Sequence, residues 1–86
     1  MFRAGDVVSH APTGEEWVLA CDEFSGYVMA IGWPETLAHA SDCTLIKAAS
    51  DDDRIATLEM VSESTGLRAS RAREQLDAAR KGGATC

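Results

Sequence analysis

The chain changes character at Ser50. Before that residue, glycines, prolines and all five aromatic residues punctuate short runs of β-prone residues. After it there is neither proline nor aromatic residue, and the apolar residues recur at helical spacing. A chain of 86 residues has room for one small domain. The sequence therefore predicts an α+β chain in which strands over residues 1–49 and helices over residues 50–86 form one compact unit.

Alternation of apolar and polar residues predicts the strands. Five short strands are expected at 5–10, 15–21, 27–33, 36–40 and 44–47. A turn is expected at 11–14, and a short turn of the 3₁₀ kind near 41–43. Five strands this short are too few for two packed sheets, so we expect a small closed barrel. The second and third strands carry apolar residues on both faces, so the barrel needs an outer cover, either the helices or a partner.

The helical part begins at a recognisable cap. Ser50 followed by Asp53 resembles a capping box, and the aspartates suit a helix N-terminus. Residues 65–66 are expected to break the helix, and the glycines at 82–83 are expected to end a second one. The apolar side of the first helix is predicted to comprise Ile55, Leu58 and Val61, and that of the second Leu67, Ala72, Leu76 and Ala79.

Charge and cysteine usage limit the class of protein. The net charge is −6, yet residues 67–86 carry five bases against two acids. No segment has the apolar length of a transmembrane helix or a signal peptide, so we expect a cytoplasmic protein with reduced thiols. Cys21, His39 and Cys43 lack the close pairs typical of zinc sites. We expect no metal and no other cofactor, although the sequence leaves open whether these three residues meet.

No catalytic motif is present. His10 and His39 are the only histidines, and neither lies near a recognisable nucleophile motif. A histidine within a strand is more often a hydrogen-bonded structural residue than a catalytic base. The sequence therefore favours a binding protein and not an enzyme.

The first half resembles an SH3-like barrel of the KOW and Tudor kind. The resemblance rests on GDVV at 5–8, GEEWVLA at 14–20, GYVMA at 26–30 and SDCTLI at 41–46. More closely, HAPTGEEWV at 10–18 with GWPE at 32–35 and SDC at 41–43 is similar to small proteins encoded by phages and prophages. The resemblance implies a mobile-element accessory protein that binds and modulates a host protein. Inhibitors of host defence, anti-CRISPR proteins among them, are one such class.

Aromatic residues and acids of the strand region are the preferred contact surface. Tyrosine and tryptophan supply much of the binding energy at interfaces, and Tudor-type barrels hold cations between aromatic rings beside a carboxylate. The alternative for each tryptophan is core packing. A further alternative is acidic mimicry of nucleic acid, to which Glu35 and residues 51–53 would also contribute. The predicted protein-binding residues are Trp17, Phe24, Tyr27, Trp33, Glu15, Glu16, Asp22 and Glu23.

The second half supports a different interpretation. Residues 58–67 and 68–76 resemble the two helices of a helix-turn-helix, which implies a nucleic-acid-binding regulator. A solvated helix face is the plainer explanation of the same charges. A homodimer through Ile55, Leu58, Val61 and Leu67 also stays open. The residues that would contact nucleic acid are Arg68, Arg71, Arg73, Arg80 and Lys81.

Overall fold

The computed structural model describes residues 1–31 and 37–84. Within these ranges the chain is α+β, as predicted, with five short strands followed by two helices. The strands are β1 (Val7–His10), β2 (Glu15–Val18), β3 (Tyr27–Met29), β4 (Leu37–His39) and β5 (Cys43–Lys47). A 3₁₀ turn, Ala40–Asp42, joins β4 to β5 where a short turn was expected. The helices are α1 (Asp51–Ser62) and α2 (Leu67–Ala84).

The described strands form two antiparallel sheets. One has the order β2-β1-β5, and the other pairs β3 with β4. An isolated bridge between Leu19 and Ala30 connects them. On either side of it, the Ala20 amide donates to the Met29 carbonyl and the Ile31 amide donates to the Val18 carbonyl, each at 2.8 Å. The expected five strands are therefore present, but as two open sheets that one short bridge joins.

The helix boundaries follow the predicted caps at three of four ends. The Ser50 hydroxyl accepts a hydrogen bond from the Asp53 amide at 3.1 Å, which fixes the start of α1. The chain turns between the helices at Gly66, whose φ of 96° suits glycine. The predicted stop at residues 82–83 is wrong, because α2 continues to Ala84. A glycine costs a helix only about 1 kcal/mol, which does not force an end.

A first group of buried residues fills the space between the strands. Val8, Leu19 and Val28 are fully buried, and Ala38 is nearly so. Val8, Val28 and Ala38 come from β1, β3 and β4, and Leu19 follows β2 at the isolated bridge. Each lies on the face that the alternating pattern makes apolar. We call these four residues the inner cluster. Phe2 and Trp17 pack against it from the side.

A second group lies between the strands and the helices. Ala20 and Met29 contribute from the other strand face, Cys21 follows Ala20 beyond the strand, and the helices add buried apolar residues of their own. The helices thus supply the cover that the two-faced strands require. The helix residue Leu67 is an exception, since 45% of it is exposed. The helix-side cluster comprises Ala4, Ala20, Cys21, Met29, Leu58, Val61, Ala72 and Leu76.

This second cluster bears on the homodimer proposed through the helices. Leu58 is fully buried and Val61 is 7% exposed within a single chain. Both residues are therefore already covered within one chain, in the helix-side cluster. None of the helices in the described part of the chain is both long and apolar enough to cross a membrane.

Candidate binding cleft

A cleft of about 440 Å³ opens beside the inner cluster. The β1–β2 turn, the 3₁₀ turn and described residues of and beside β3 and β4 meet there. Short strands place their connecting turns close together, so one surface collects side chains from distant parts of the sequence. The cleft is lined by His10, Pro12, Thr13, Glu15, Trp17, Ala30, Ile31, Leu37, Ala38, His39 and Asp42.

The Trp17 ring forms one wall and is held by stacking. Its ring lies 4.0 Å from the His10 ring, centroid to centroid, with 19° between the planes. His10 is 8% exposed, and its Nδ1 lies 2.9 Å from the Thr13 hydroxyl. The β1–β2 turn is itself closed by the Gly14 amide, which donates to the His10 carbonyl at 2.8 Å. The aromatic wall is therefore ordered before any ligand arrives.

The predicted aromatic residues do not form one surface. Tyr27 pairs across the sheet with His39, and their rings lie 5.0 Å apart at 35°, which places Tyr27 beside the cleft. Phe24 lies elsewhere, packed against the helix-side cluster, and the Arg71 guanidinium sits 4.6 Å from its ring centroid. Trp33 lies outside the residues that the structure describes. Trp17 and Tyr27 are thus the described aromatic residues at or beside the cleft.

The cleft is anionic among its described residues. Glu15 and Asp42 bring carboxylates, and no lysine or arginine is among the described lining residues. Glu15 shares a strand face with Trp17, whereas Glu16 alternates with both and lies on the opposite face. Of the predicted acids, Glu15 therefore belongs to the cleft and Glu16 does not.

The remaining predicted acids have internal partners. The Asp22 carboxylate accepts hydrogen bonds from Arg54 Nε at 3.0 and 3.1 Å and from the Ala4 amide at 2.9 Å. Gln75 completes the site: its Oε1 accepts from the Asp22 amide, and its Nε2 donates to the Asp22 carbonyl. Glu23 accepts from the Phe2 amide at 3.2 Å. Asp22 and Glu23 thus tie the strands to the helices and to the N-terminus.

Ionisation of Asp22 depends on this arrangement. Burial by itself raises the pKa of the carboxyl, but the hydrogen bonds from Arg54 and the Ala4 amide outweigh burial. The pKa of Asp22 is therefore lowered from its ordinary value. The same hydrogen bond raises the pKa of Arg54, so the pair stays charged.

The basic residues of α2 contact their own chain. Arg68 donates to the Ala30 carbonyl at 2.9 Å, and Arg73 donates to the carbonyls of Ser62 and Ser64 at 3.0 and 2.8 Å. Arg73 thereby caps the end of α1. The other three form ion pairs: Arg71 with Glu74 at 3.2 Å, Arg80 with Glu59 at 4.0 Å, and Lys81 with Asp77 at 3.0 Å.

Cys21, Cys43, His10 and His39 are the described residues that bear on a metal site. Within residues 1–31 and 37–84, no three histidine, cysteine or acidic side chains come together in a way that could hold a metal ion. Cys21 is buried in the helix-side cluster, and burial raises the pKa of its thiol to about 11. Cys43 packs against the inner cluster instead. The two thiols thus lie in different parts of the core.

The sequence did not point to several residues of the cleft. His10 was expected to be structural, and its contact with Thr13 agrees, yet it also orients the Trp17 ring. Leu37 belongs to no motif, and Asp42 lies in the SDC run at 41–43, which marks no site. Leu37 reaches the cleft through the pairing of β4 with β3, and Asp42 through its carbonyl, which accepts from the Ala11 amide at 3.0 Å. The turn predicted at 11–14 is the one sequence signal for the position of the cleft. A turn that joins two paired strands places the residues on both sides of it at the same edge of the sheet.

No protein-family model matches the sequence, and the comparisons with curated proteins and with solved structures give no match either.

Proposed function

We propose that the chain is a non-enzymatic binding module whose cleft holds a cationic segment of a partner protein. The observation that carries this proposal is the combination of an ordered aromatic ring with uncompensated carboxylates. Trp17 supplies the ring, while Glu15 and Asp42 supply the charge. A cation over a tryptophan face gains about 0.5–2 kcal/mol, and a nearby carboxylate adds to that attraction.

The apolar part of the lining adds a second requirement. Leu37 is 47% exposed at the cleft, so a partner gains free energy by covering it. The proposed ligand is therefore a basic segment that also carries an apolar residue.

The proposal includes a finer statement of the fold, a five-stranded SH3-like barrel. The bridge between Leu19 and Ala30 and its two flanking hydrogen bonds support the strand order β5-β1-β2-β3-β4. Hydrogen exchange tests this statement: in a barrel, the Ala20 and Ile31 amides exchange as slowly as those of β1. Rapid exchange of both amides would mean that the two sheets are independent and that there is no barrel.

The resemblance to phage proteins supplies the biological part of the proposal. The partner is then a host protein or a protein–nucleic-acid complex in the cytoplasm, and binding modulates its activity, as for an inhibitor of host defence. The excess of acids favours fast association with a basic partner surface.

The test is capture from bacterial lysate with matched charge variants of the tagged full chain. Glu15→Lys reverses a carboxylate in the cleft, and Glu63→Lys makes the same change at the end of α1, where a positive charge is favourable. A partner bound by the wild type and by Glu63→Lys, but lost with Glu15→Lys, supports the proposal. Equal capture by all three proteins contradicts the assignment of the cleft.

Once a partner is identified, titration calorimetry measures the contribution of the ring. Trp17→Leu keeps an apolar contact with the inner cluster and removes the aromatic face. We expect a loss of affinity of about tenfold or more, equal to roughly 1.4 kcal/mol. Thermal unfolding of the same variant shows whether the protein still folds, so a binding defect is separable from a folding defect.

The helix-turn-helix alternative makes a different prediction for the same experiment. Nuclease treatment removes any partner held through nucleic acid, and raised salt weakens direct phosphate contacts steeply. Recovery of nucleic acid alone, sensitive to salt and to Arg80→Ala but not to Glu15→Lys, would favour that alternative over the cleft.

A further inference from the structure

A row of side chains crosses the outer face of the strands. In the ladder register, Val7 lies opposite Val18 on one side and opposite Lys47 on the other. The Ile31 amide donates to the Val18 carbonyl, which continues the row onto the next strand segment. Because cross-strand neighbours share a face, these side chains lie next to one another.

This row extends the face that the helices cover. Along the chain, Val18 and Ile31 lie two residues from Ala20 and Met29 respectively, so all four share a strand face. The helices bury Ala20 and Met29 to about 1% exposure. Val18 and Ile31 remain 42% and 40% exposed. One apolar face is therefore covered at one end and open at the other.

Met60 of α1 stands beside the open end. It is 54% exposed and lies between two grooves, which it helps to line. One groove, of about 310 Å³, includes Val7, Lys47 and Asp53. The other, of about 260 Å³, includes Ile31. A flexible methionine between two grooves is suited to fill a gap in a facing surface.

We propose that a second copy of this chain covers this surface, which we call the outer strip: Val7, Val18, Ile31 and Met60. A two-fold contact sets the same patch on both copies face to face. Each copy carries a charge of −6, so two copies repel each other over most of their surfaces. The outer strip itself contains no carboxylate.

Charges beside the strip make it self-complementary. Lys47 and Asp53 line one groove, and they carry opposite charges. In a two-fold dimer, Lys47 of each copy pairs with Asp53 of the other. A specific interface needs about 1,000 Å² in total, or about 500 Å² from each copy, which is roughly a tenth of the 5170 Å² surface of one copy. The strip with its two grooves extends over β1, β2, the residues after β3, and α1.

Sedimentation equilibrium of the full chain over a range of concentrations tests the proposal. The expected mass rises from 9.2 kDa towards twice that value. Met60→Glu sets like charges against each other at the contact, and we expect the dimer dissociation constant to rise about 100-fold. Leu45→Glu is the matched control, because Leu45 is 47% exposed and pairs with Val8, which lies on the strand face opposite that of Val7. This control is expected to leave the dissociation constant unchanged.

Charge exchange provides a second test that does not depend on the apolar residues. Lys47→Asp is expected to weaken the dimer, and adding Asp53→Lys is expected to restore it. A chain that stays monomeric up to about millimolar concentration overturns the proposal, since a dissociation constant above that value leaves only about 4 kcal/mol of binding. Dissociation by Leu45→Glu but not by Met60→Glu also overturns it, because the edge of β5 would then be the contact.

Discussion

Acidic side chains have different surroundings on the helix side of the strands and at the cleft. On the helix side, the charged pair Asp22 and Arg54 satisfies its hydrogen bonds within the chain and leaves an apolar interior behind it. At the cleft, the carboxylates of Glu15 and Asp42 lie beside an aromatic wall, and no basic residue is among the described lining. The first arrangement stabilises the fold, whereas the second is suited to a ligand. Polar residues of one type thus serve different purposes according to what surrounds them.

The largest expected effect breaks the helix side of this comparison. Leu58 of α1 is fully buried in the helix-side cluster, so Leu58→Ala opens a cavity there. We expect the free energy of unfolding to fall by about 3 kcal/mol, measured by chemical denaturation. Leu67→Ala is the control, because that leucine is 45% exposed, and its effect is expected to stay below about 0.5 kcal/mol. Equal effects would mean that the helices are not held by this cluster.

The second prediction concerns the charged pair. Asp22→Asn leaves Arg54 without its carboxylate partner in a largely buried position. We expect a loss of about 2 kcal/mol in the free energy of unfolding. Glu15→Gln at the cleft removes a carboxylate with the same chemistry and is expected to cost little stability. A stability loss of the same size at Glu15 would erase the proposed difference between the helix side and the cleft.

Acid titration sharpens the same comparison. The pKa of Asp22 is lowered in the folded protein, so its stabilising contribution is fully present above the ordinary value of 3.8. That contribution is lost as the pH falls below 3.8 and through the lowered native pKa. We therefore expect the wild type to lose more stability than Asp22→Asn across this range, as measured by denaturation at each pH. Parallel curves for the two proteins would contradict the role of Asp22.

A smaller effect is expected where α1 approaches the N-terminus. Gly5 has φ of 87°, and an added Cβ would lie 3.1 Å from both Ala49 Cβ and Thr57 Oγ1. Gly5→Ala is expected to lower the free energy of unfolding by about 1.5 kcal/mol, through strain and crowding together. Gly14→Ala has a similar φ of 70° with nothing within 4 Å, so its cost is expected to be strain alone, about 1 kcal/mol. The difference between the two variants measures how tightly the helix docks.

The smallest expected effect on stability lies in the cleft. Thr13→Val removes the hydroxyl that contacts His10 and keeps the shape of the turn residue. We expect a change of less than about 1 kcal/mol in unfolding. In contrast, affinity for the cationic partner is expected to fall, because the Trp17 wall is less well ordered. Unchanged affinity would show that the ring does not need this support.

The agreement between sequence and structure has a local cause. The turn at 11–14, the cap at Ser50 and the break at Gly66 depend on hydrogen bonds and backbone angles within a few residues, so they can be predicted without the rest of the chain. The end of α2 could not be predicted in this way. Two glycines disfavour a helix only weakly, and their local preference did not end it.

Local patterns determined the strands, the helices and the apolar residues on both faces of the second and third strands. They could do so because backbone preference and side-chain alternation act between near neighbours. They did not specify which acids are internal and which face solvent. Asp22 and Glu15 are chemically similar, but Arg54 and Gln75 reach Asp22 from 32 and 53 residues away, and Asp42 joins Glu15 only at the 3₁₀ turn. Only the tertiary structure decides such pairings, because the free energy of a charged group depends on its neighbours in space.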